Sequence, residues 1–466
     1  MRLVMKFGGT SVGDGSRIKN VAKLVKRYYD NGNDVIVVAS AMTGITDKLY
    51  EMAQIAKDTC SIVEIDNHFN EIAMRHKAAI ADAIDDEAIR HEITAEIDAR
   101  LSELKNALIG ICYLGELTSR SLAYVYSFGE RMSVPIISGS LRSLGINSQF
   151  FSGGEAGVTT DDRFDSGRPL PVTNEKVKEK LMPLLNKGYI PVVTGFVAAT
   201  EKGIITVLGR GGSDYSASIL GAAIDADEIW IYTDVNGIMT TDPRIVPDAK
   251  TLPVVSYLEA MEMSYFGAKV LHPKTIEPAI KKGIPVKVLN TFNPDHPGTT
   301  VVMKDMGQNG SVIKAVTMIK NISLLNVSGA SLSGTPGIAG RIFTALGQEE
   351  VNVMISQASS EFNVSMAIDG LQAEKAISVL RQEFSGDTAN CITCNNNVCV
   401  VAVVGAGMAG SPGVAGRVFT ALGKEGINIR MISQGSSEAN ISLVVNKDDA
   451  QRAVKVLHNE FELHKL

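Results

Sequence analysis

Short β-branched apolar runs alternate with amphipathic helical patterns over residues 1 to about 300, the signature of an α/β domain built on a largely parallel sheet. Strands are predicted at Leu3–Phe7, Val35–Ser40, Ser148–Ser152, Ile190–Thr194, Ile204–Leu208, Glu228–Thr233 and Val286–Leu289, each flanked by Gly, Pro, Asn or Asp. Between the first two, Ile18, Val21, Leu24, Val25 and Tyr28 fall on one face of a helix predicted over Ser16–Asp30 and stopped near Gly32. From Thr46 to Leu144 no strand pattern occurs, and the Ala-, Glu-, Asp-, Lys- and Arg-rich stretch reads as a mostly helical insertion.

The last third carries an internal repeat. SGTPGIAGRIFTALGQEEVN (Ser333–Asn352) matches AGSPGVAGRVFTALGKEGIN (Ala409–Asn428) at one constant offset. After one inserted residue, SQASSEFNVS (Ser356–Ser365) matches SQGSSEANIS (Ser433–Ser442). Each copy predicts strand, glycine turn, helix, strand, strand, helix, strand, the α+β ferredoxin-like plan. The predicted partition is one α/β domain over 1–303, a first small domain over 304–390 and a second over 391–466.

Composition narrows the possibilities. The 466 residues are 45% hydrophobic, so sizeable cores are expected. Glycine, at 43 residues, exceeds the roughly 33 that average usage gives. A net charge of −6 disfavours nucleic-acid partners. No apolar run approaches the roughly 18 residues of a membrane helix, so no membrane partner is expected. MRLVMKFGGTS lacks the plan of a signal peptide, and five cysteines, an odd number, fit a reducing compartment; a cytoplasmic location is expected. Cys391, Cys394 and Cys399 resemble part of a zinc site, but no fourth ligand lies near them, and no metal ligand is assigned.

Two glycine-rich turns suit anions. Lys6-Phe7-Gly8-Gly9-Thr10-Ser11 follows a predicted strand and precedes a helix, so amides, a helix N-terminus and a lysine converge there; a plain tight turn is the competing reading. Gly209-Arg210-Gly211-Gly212-Ser213-Asp214 repeats the arrangement before a helix predicted over Tyr215–Ala223. Both turns are expected at strand ends of one sheet, across which a polyanionic ligand would lie. Arg210 suits a carboxylate fork, and Asp214 has a helix-capping alternative. A formal GxGxxG at Gly405, Gly407 and Gly410 falls inside the repeat with too little chain after it for a dinucleotide fold.

KFGGTS, Val38–Met42 with Thr46, Ser127-Phe128-Gly129-Glu130, GRGGSDY, Thr233–Ile238, Thr241-Asp242-Pro243-Arg244 and Phe266–Pro273 occur in order and resemble aspartate kinases of the amino acid kinase family. The tandem repeat resembles their paired ACT domains. The resemblance implies ATP plus L-aspartate giving 4-phospho-L-aspartate and ADP, a step in lysine, threonine, methionine and isoleucine biosynthesis, with Mg2+ accompanying ATP. It implies Lys6 and Asp214 as catalytic residues. Ser40, Thr46, Glu130, Arg210 and Ser213 would bind aspartate, with Arg210 on the α-carboxylate and Glu130 on the α-ammonium. Lys6, Gly8, Gly9, Thr233, Asp234, Asp242, Arg244 and Lys269 would bind ATP. Met239 stands where many relatives carry tyrosine.

In the repeats, Gly337, Ile338, Asn352, Gln357 and Ser359 would hold an amino-acid effector, threonine first and lysine second; building a dimer interface is the competing role. A homodimer or higher oligomer through the ACT units is expected. A kinase for another acyl substrate such as glutamate, and an inactive amino-acid sensor, are the alternative functions.

Overall fold

β1 (Arg2–Phe7) and β2 (Asp34–Ala39) are apolar and buried along nearly their whole length, as central parallel strands covered on both faces must be. They lie inside an eight-stranded sheet of order β3-β5-β2-β1-β8-β10-β11-β9. The other strands are β3 (Ser148–Phe151), β5 (Ile190–Thr194), β8 (Glu228–Thr233), β9 (Val254–Ser256), β10 (Val286–Asn290) and β11 (Thr299–Val302). All neighbours pair in parallel except β10 and β11. The computed structural model describes residues 1–268, 271, 273–303, 312–328, 337–360, 363–384 and 392–466.

α1 (Gly15–Asp30) buries Ile18, Val21, Ala22, Leu24 and Val25, and the Asp14 side chain caps it by accepting from the Arg17 amide. The helical insertion resolves into α2 (Ile45–Asp58), α3 (Ile62–Ala83), α4 (Glu87–Leu114) and α5 (Ser119–Ser143). Ile72 and Ile80 of α3 and Ile93, Ile97 and Leu104 of α4 join the same core as β1 and β2. A disulfide joins Cys60, just after α2, to Cys112 in the last turn of α4.

One expectation needs correction. The strand before GRGGSD, β7 (Ile205–Val207), is not in the main sheet. It pairs antiparallel with β6 (Val197–Thr200), which pairs with β4 (Thr159–Thr160) in a separate three-stranded sheet. The turn after β5 sends the chain into the β6–β7 hairpin, which carries the second glycine turn back to α7 (Gly212–Ala223). α6 (Thr173–Leu185) precedes β5, and α9 (Glu277–Lys282) precedes β10.

The repeats share one six-stranded sheet, order β13-β14-β12-β15-β17-β16. The first copy runs β12 (Ala315–Ser328), α10 (Ile338–Gln348), β13 (Val353–Ser360), β14 (Asn363–Asp369) and α11 (Ala373–Glu383). The second runs β15 (Ile392–Val404), α12 (Val414–Lys424), β16 (Ile429–Ser433), β17 (Asn440–Asn446) and α13 (Lys447–Glu460). The closing strand expected in each copy is absent among the described residues. β12 and β15 pair with each other in the sheet centre, and α13 is followed by a single 3-10 turn at Leu463–Lys465. The symmetry reaches side chains. Arg341 Nε meets Glu383 Oε1 at 2.7 Å and its guanidinium lies over Phe384; Arg417 meets Glu460 at 2.9 Å and lies over Phe461.

The chain divides into two units that do not follow a boundary at 303 and 304. Met1–Ile238, Pro253–Tyr257 and Val270–Lys304 form the first; Met239–Leu252, Leu258–Lys269 and Asp305–Leu466 form the second. Ile245 and Val246 are buried in the second repeat's core with Val401, Val418 and Leu443. Within α8 (Tyr257–Tyr265), Glu259 accepts from the Ala406 amide at 2.9 Å and lies 3.5 Å from Lys314 Nζ, and Glu262 hydrogen-bonds Asn440. The GxGxxG turn is built for packing: a Cβ on Gly405 would lie 2.3 Å from the Val312 carbonyl oxygen. No described helix is long and apolar enough to cross a membrane.

Candidate functional site

A cavity of about 600 Å³ opens in the first unit where β1 and β2 end and α7 begins. Lys6, the penultimate residue of β1, reaches into it, and its Nζ lies 2.6 Å from Asp214 Oδ1. Both side chains are nearly buried, at 11% and 14% exposure. Asp214 is in the first turn of α7, whose N-cap is Gly211 at φ 72°. Among the described residues no side chain caps that terminus, so Asp214 serves Lys6 and not the cap, and the amide end of α7 faces the cavity open for an anion.

Ser40 follows β2. Its Oγ donates to Ser213 Oγ at 2.9 Å, and its carbonyl accepts from Ser133 Oγ at 2.8 Å, linking β2, α7 and α5. Glu130, within α5, is buried. Among the described residues its Oε2 has no hydrogen-bond partner. Burial raises its pKa to about 8, with the Ala41 amide opposing that shift. Arg210 lines the same cavity, is exposed and makes no ion pair among the described residues. The cavity therefore holds a buried carboxyl seeking a cation, a guanidinium without an acidic partner and a lysine–aspartate pair.

Lys6, Gly9, Ser40, Thr46, Glu130, Arg210, Ser213 and Asp214 all line this cavity. Gly8 does not; its amide turns toward the Tyr232 carbonyl at 3.4 Å, so Gly8 shapes the turn. Thr233 ends β8 and Asp234 follows it; both lie outside the cavity wall. Asp242 and Arg244 belong to the second unit, where Arg244 Nη2 meets Asp242 Oδ2 at 2.7 Å and holds that carboxyl below its usual range. Lys269 lies outside the described residues. In the repeats, Gly337 caps α10 at φ 84°, with Ile338 as its first residue. The Asn352 amide donates to Gln372 Oε1 at 3.2 Å, and Gln357 pairs with Ser365 between β13 and β14. The Ser359 side chain lies outside what is described.

An aromatic wall was not foreseen. Tyr126 lies one helical turn before Glu130 and stacks on Tyr50 at 6.2 Å; Phe196 meets it edge-on at 6.2 Å. Phe196 also adopts φ 63°, a backbone strain of the sort that clusters at functional sites. The spacing of Tyr126 and Glu130 was readable, but only a known helix orientation turns it into a shared wall. Among the described residues no group of three or more His, Cys, Asp or Glu could hold a metal; Cys391, from the cysteine cluster, lies outside them.

The chain matches the amino acid kinase family over residues 1–290 and an ACT domain over 325–384 and 401–461. It is 36% identical over 471 residues to the bifunctional aspartokinase/homoserine dehydrogenase of Daucus carota, spanning 99% of this chain and 50% of that protein. It therefore covers about half the length of the bifunctional relatives. It is 33% identical to aspartokinase 3 of Arabidopsis thaliana over 98% of this chain and 81% of the relative. E. coli aspartokinase III in complex with aspartate and ADP superposes with a TM-score of 0.80 at 30% identity, covering 99% of each chain. The same enzyme in complex with lysine and aspartate gives 0.82 at 30% identity, covering 98% of this chain and 99% of that one.

Proposed function

The chain belongs to the aspartokinases of the amino acid kinase family, and from that premise we propose that it transfers the γ-phosphoryl group of ATP to the side-chain carboxylate of L-aspartate, giving 4-phospho-L-aspartate and ADP. The observation that carries this reading is the complementarity of one cavity to an α-amino acid. The orphaned Glu130 Oε2 suits the ammonium, and the unpaired Arg210 fork suits the α-carboxylate. An acetylated amino acid would leave the Glu130 carboxyl without a cationic partner.

The acceptor carboxylate is ionised at neutral pH, so transfer needs positioning and charge neutralisation, not a general base. Lys6, steered by Asp214, neutralises charge on the transferring phosphoryl group, while the open amides of α7 and the Gly9 turn cradle phosphate oxygens. Ser40, Thr46 and Ser213 orient the amino acid. Thr233 and Asp234 complete the nucleotide contacts of the first unit in this reading. Mg2+ would travel with the ATP phosphates, and no step is routed through a metal held by protein ligands.

The ACT half would bind threonine, with lysine the second choice, through Gly337, Ile338, Asn352, Gln357 and Ser359. A second copy would add to the sheet ends at β13 or β16.

Trapping acyl phosphate as hydroxamate tests the activity. Hydroxamate should form with ATP and L-aspartate, and far less with glutamate or acetylglutamate. Millimolar threonine should slow the initial rate or shift aspartate saturation. No hydroxamate with aspartate would overturn the reading.

Glu130 makes a pH prediction. With its pKa near 8, it is largely protonated in the free protein at neutral pH, and an ammonium beside it must draw off the proton. The aspartate KM should therefore fall as pH rises toward about 8 and level off above it. Glu130→Gln should raise that KM and remove the pH dependence. Stability has the opposite sense: the folded state holds the proton more tightly than the unfolded chain, so the Glu130 contribution is present below about 4.5 and is lost as pH rises through about 8. Thermal melts of wild type and Glu130→Gln should converge at low pH and separate at high pH. An aspartate KM that is flat across this interval would contradict the assignment.

A further inference from the structure

We propose that Cys60 and Cys112 form a reversible thiol–disulfide site, a redox modification that ties the end of α2 to the end of α4. The two residues are 52 apart in sequence, yet they are joined, with Cα atoms 5.1 Å apart, inside the span a disulfide requires. Cys60 is exposed and Cys112 half-buried, so an incoming disulfide reaches Cys60 first. Cys394 and Cys399 are free.

The backbone supplies a second, independent observation. Cys60 adopts φ 48° and donates its amide to the Ile55 carbonyl at 2.8 Å, closing α2 in the left-handed conformation that glycine takes most readily. A cysteine here gains nothing from packing, because it is exposed. Its thiol accounts for its presence where its backbone does not. α2 also reaches the candidate site: Thr46, in its first turn, lines the cavity, while the crosslink fixes the helix's other end.

The exchange balances with a glutathione-type disulfide as oxidant. The Cys60 thiolate attacks one sulfur of that disulfide and expels one glutathione thiolate. The Cys112 thiolate then attacks Cys60 Sγ of the mixed disulfide and expels the second. Two protein thiols become one disulfide, and the oxidant leaves as two thiols.

The test equilibrates the full chain in oxidised or reduced glutathione, quenches with acid, alkylates, and reads intact mass and Tm. Wild type should lose the alkylatable thiols of Cys60 and Cys112 together, retain no glutathione on either, melt higher when oxidised and revert with dithiothreitol. Cys112→Ser should retain one glutathione on Cys60. Cys60→Gly, which suits the backbone, should melt at or above reduced wild type and ignore the redox buffer. Full alkylation of Cys60 and Cys112 after oxidation, stable glutathione on Cys60 or Cys112 of wild type, or a redox-dependent Tm in Cys60→Gly would overturn the proposal.

Discussion

Lys6→Ala is expected to lower kcat by about 10²–10³, the scale seen when one preorganised donor to developing charge is removed. The ammonium is fixed 2.6 Å from Asp214, so its position costs no reorganisation during transfer. The substitution also leaves the nearly buried Asp214 carboxyl unpaired, which should destabilise the fold by about 1–3 kcal/mol. Adding Asp214→Asn should recover most of that stability and none of the turnover. Steady-state rates and thermal melts on the single and double variants separate the two effects. A double variant that regains activity would remove Lys6 from the chemistry.

Arg210→Ala should raise the aspartate KM by roughly 30- to 1,000-fold, equivalent to about 2–4 kcal/mol, with little change in the ATP KM. Arg210 is exposed and makes no ion pair among the described residues, so Tm should hardly move. Arg210→Lys keeps the charge and loses the two-pronged geometry, and should fall between wild type and alanine. Equal losses for ATP and aspartate would place Arg210 on the nucleotide instead.

Much of the first unit was legible because buried parallel strands must be apolar on both faces. β1 begins one residue earlier than predicted, and α7 starts at Gly212 instead of Tyr215. The site was legible where glycine turns and charged residues coincide, as at Lys6 and Arg210. In the insertion, Thr46 and Glu130 were legible only through the family motifs, and the Tyr126 wall was not legible at all. Amphipathic spacing says which face of a helix is buried, not what that face meets. Cys60 and Cys112 illustrate the same limit, since no local pattern sets the distance between two helix ends. The position of β7 was missed because short apolar strands look alike whichever sheet they join. Ile245, Val246 and Glu259 find their partners far along the chain, which hides the true division of the units from any linear reading.

That interleaving governs how such chains can recombine. A single crossover near residue 303 would inherit Met239–Leu252 and Leu258–Lys269 from one parent and the repeats from another. Ile245 and Val246 would then insert into a foreign core, and Glu259 would face a foreign Ala406 turn. Exchange of the repeat-bearing unit between relatives therefore succeeds as a cassette only if both excursions are carried with it, so homologues that trade it should co-inherit three separated stretches of gene.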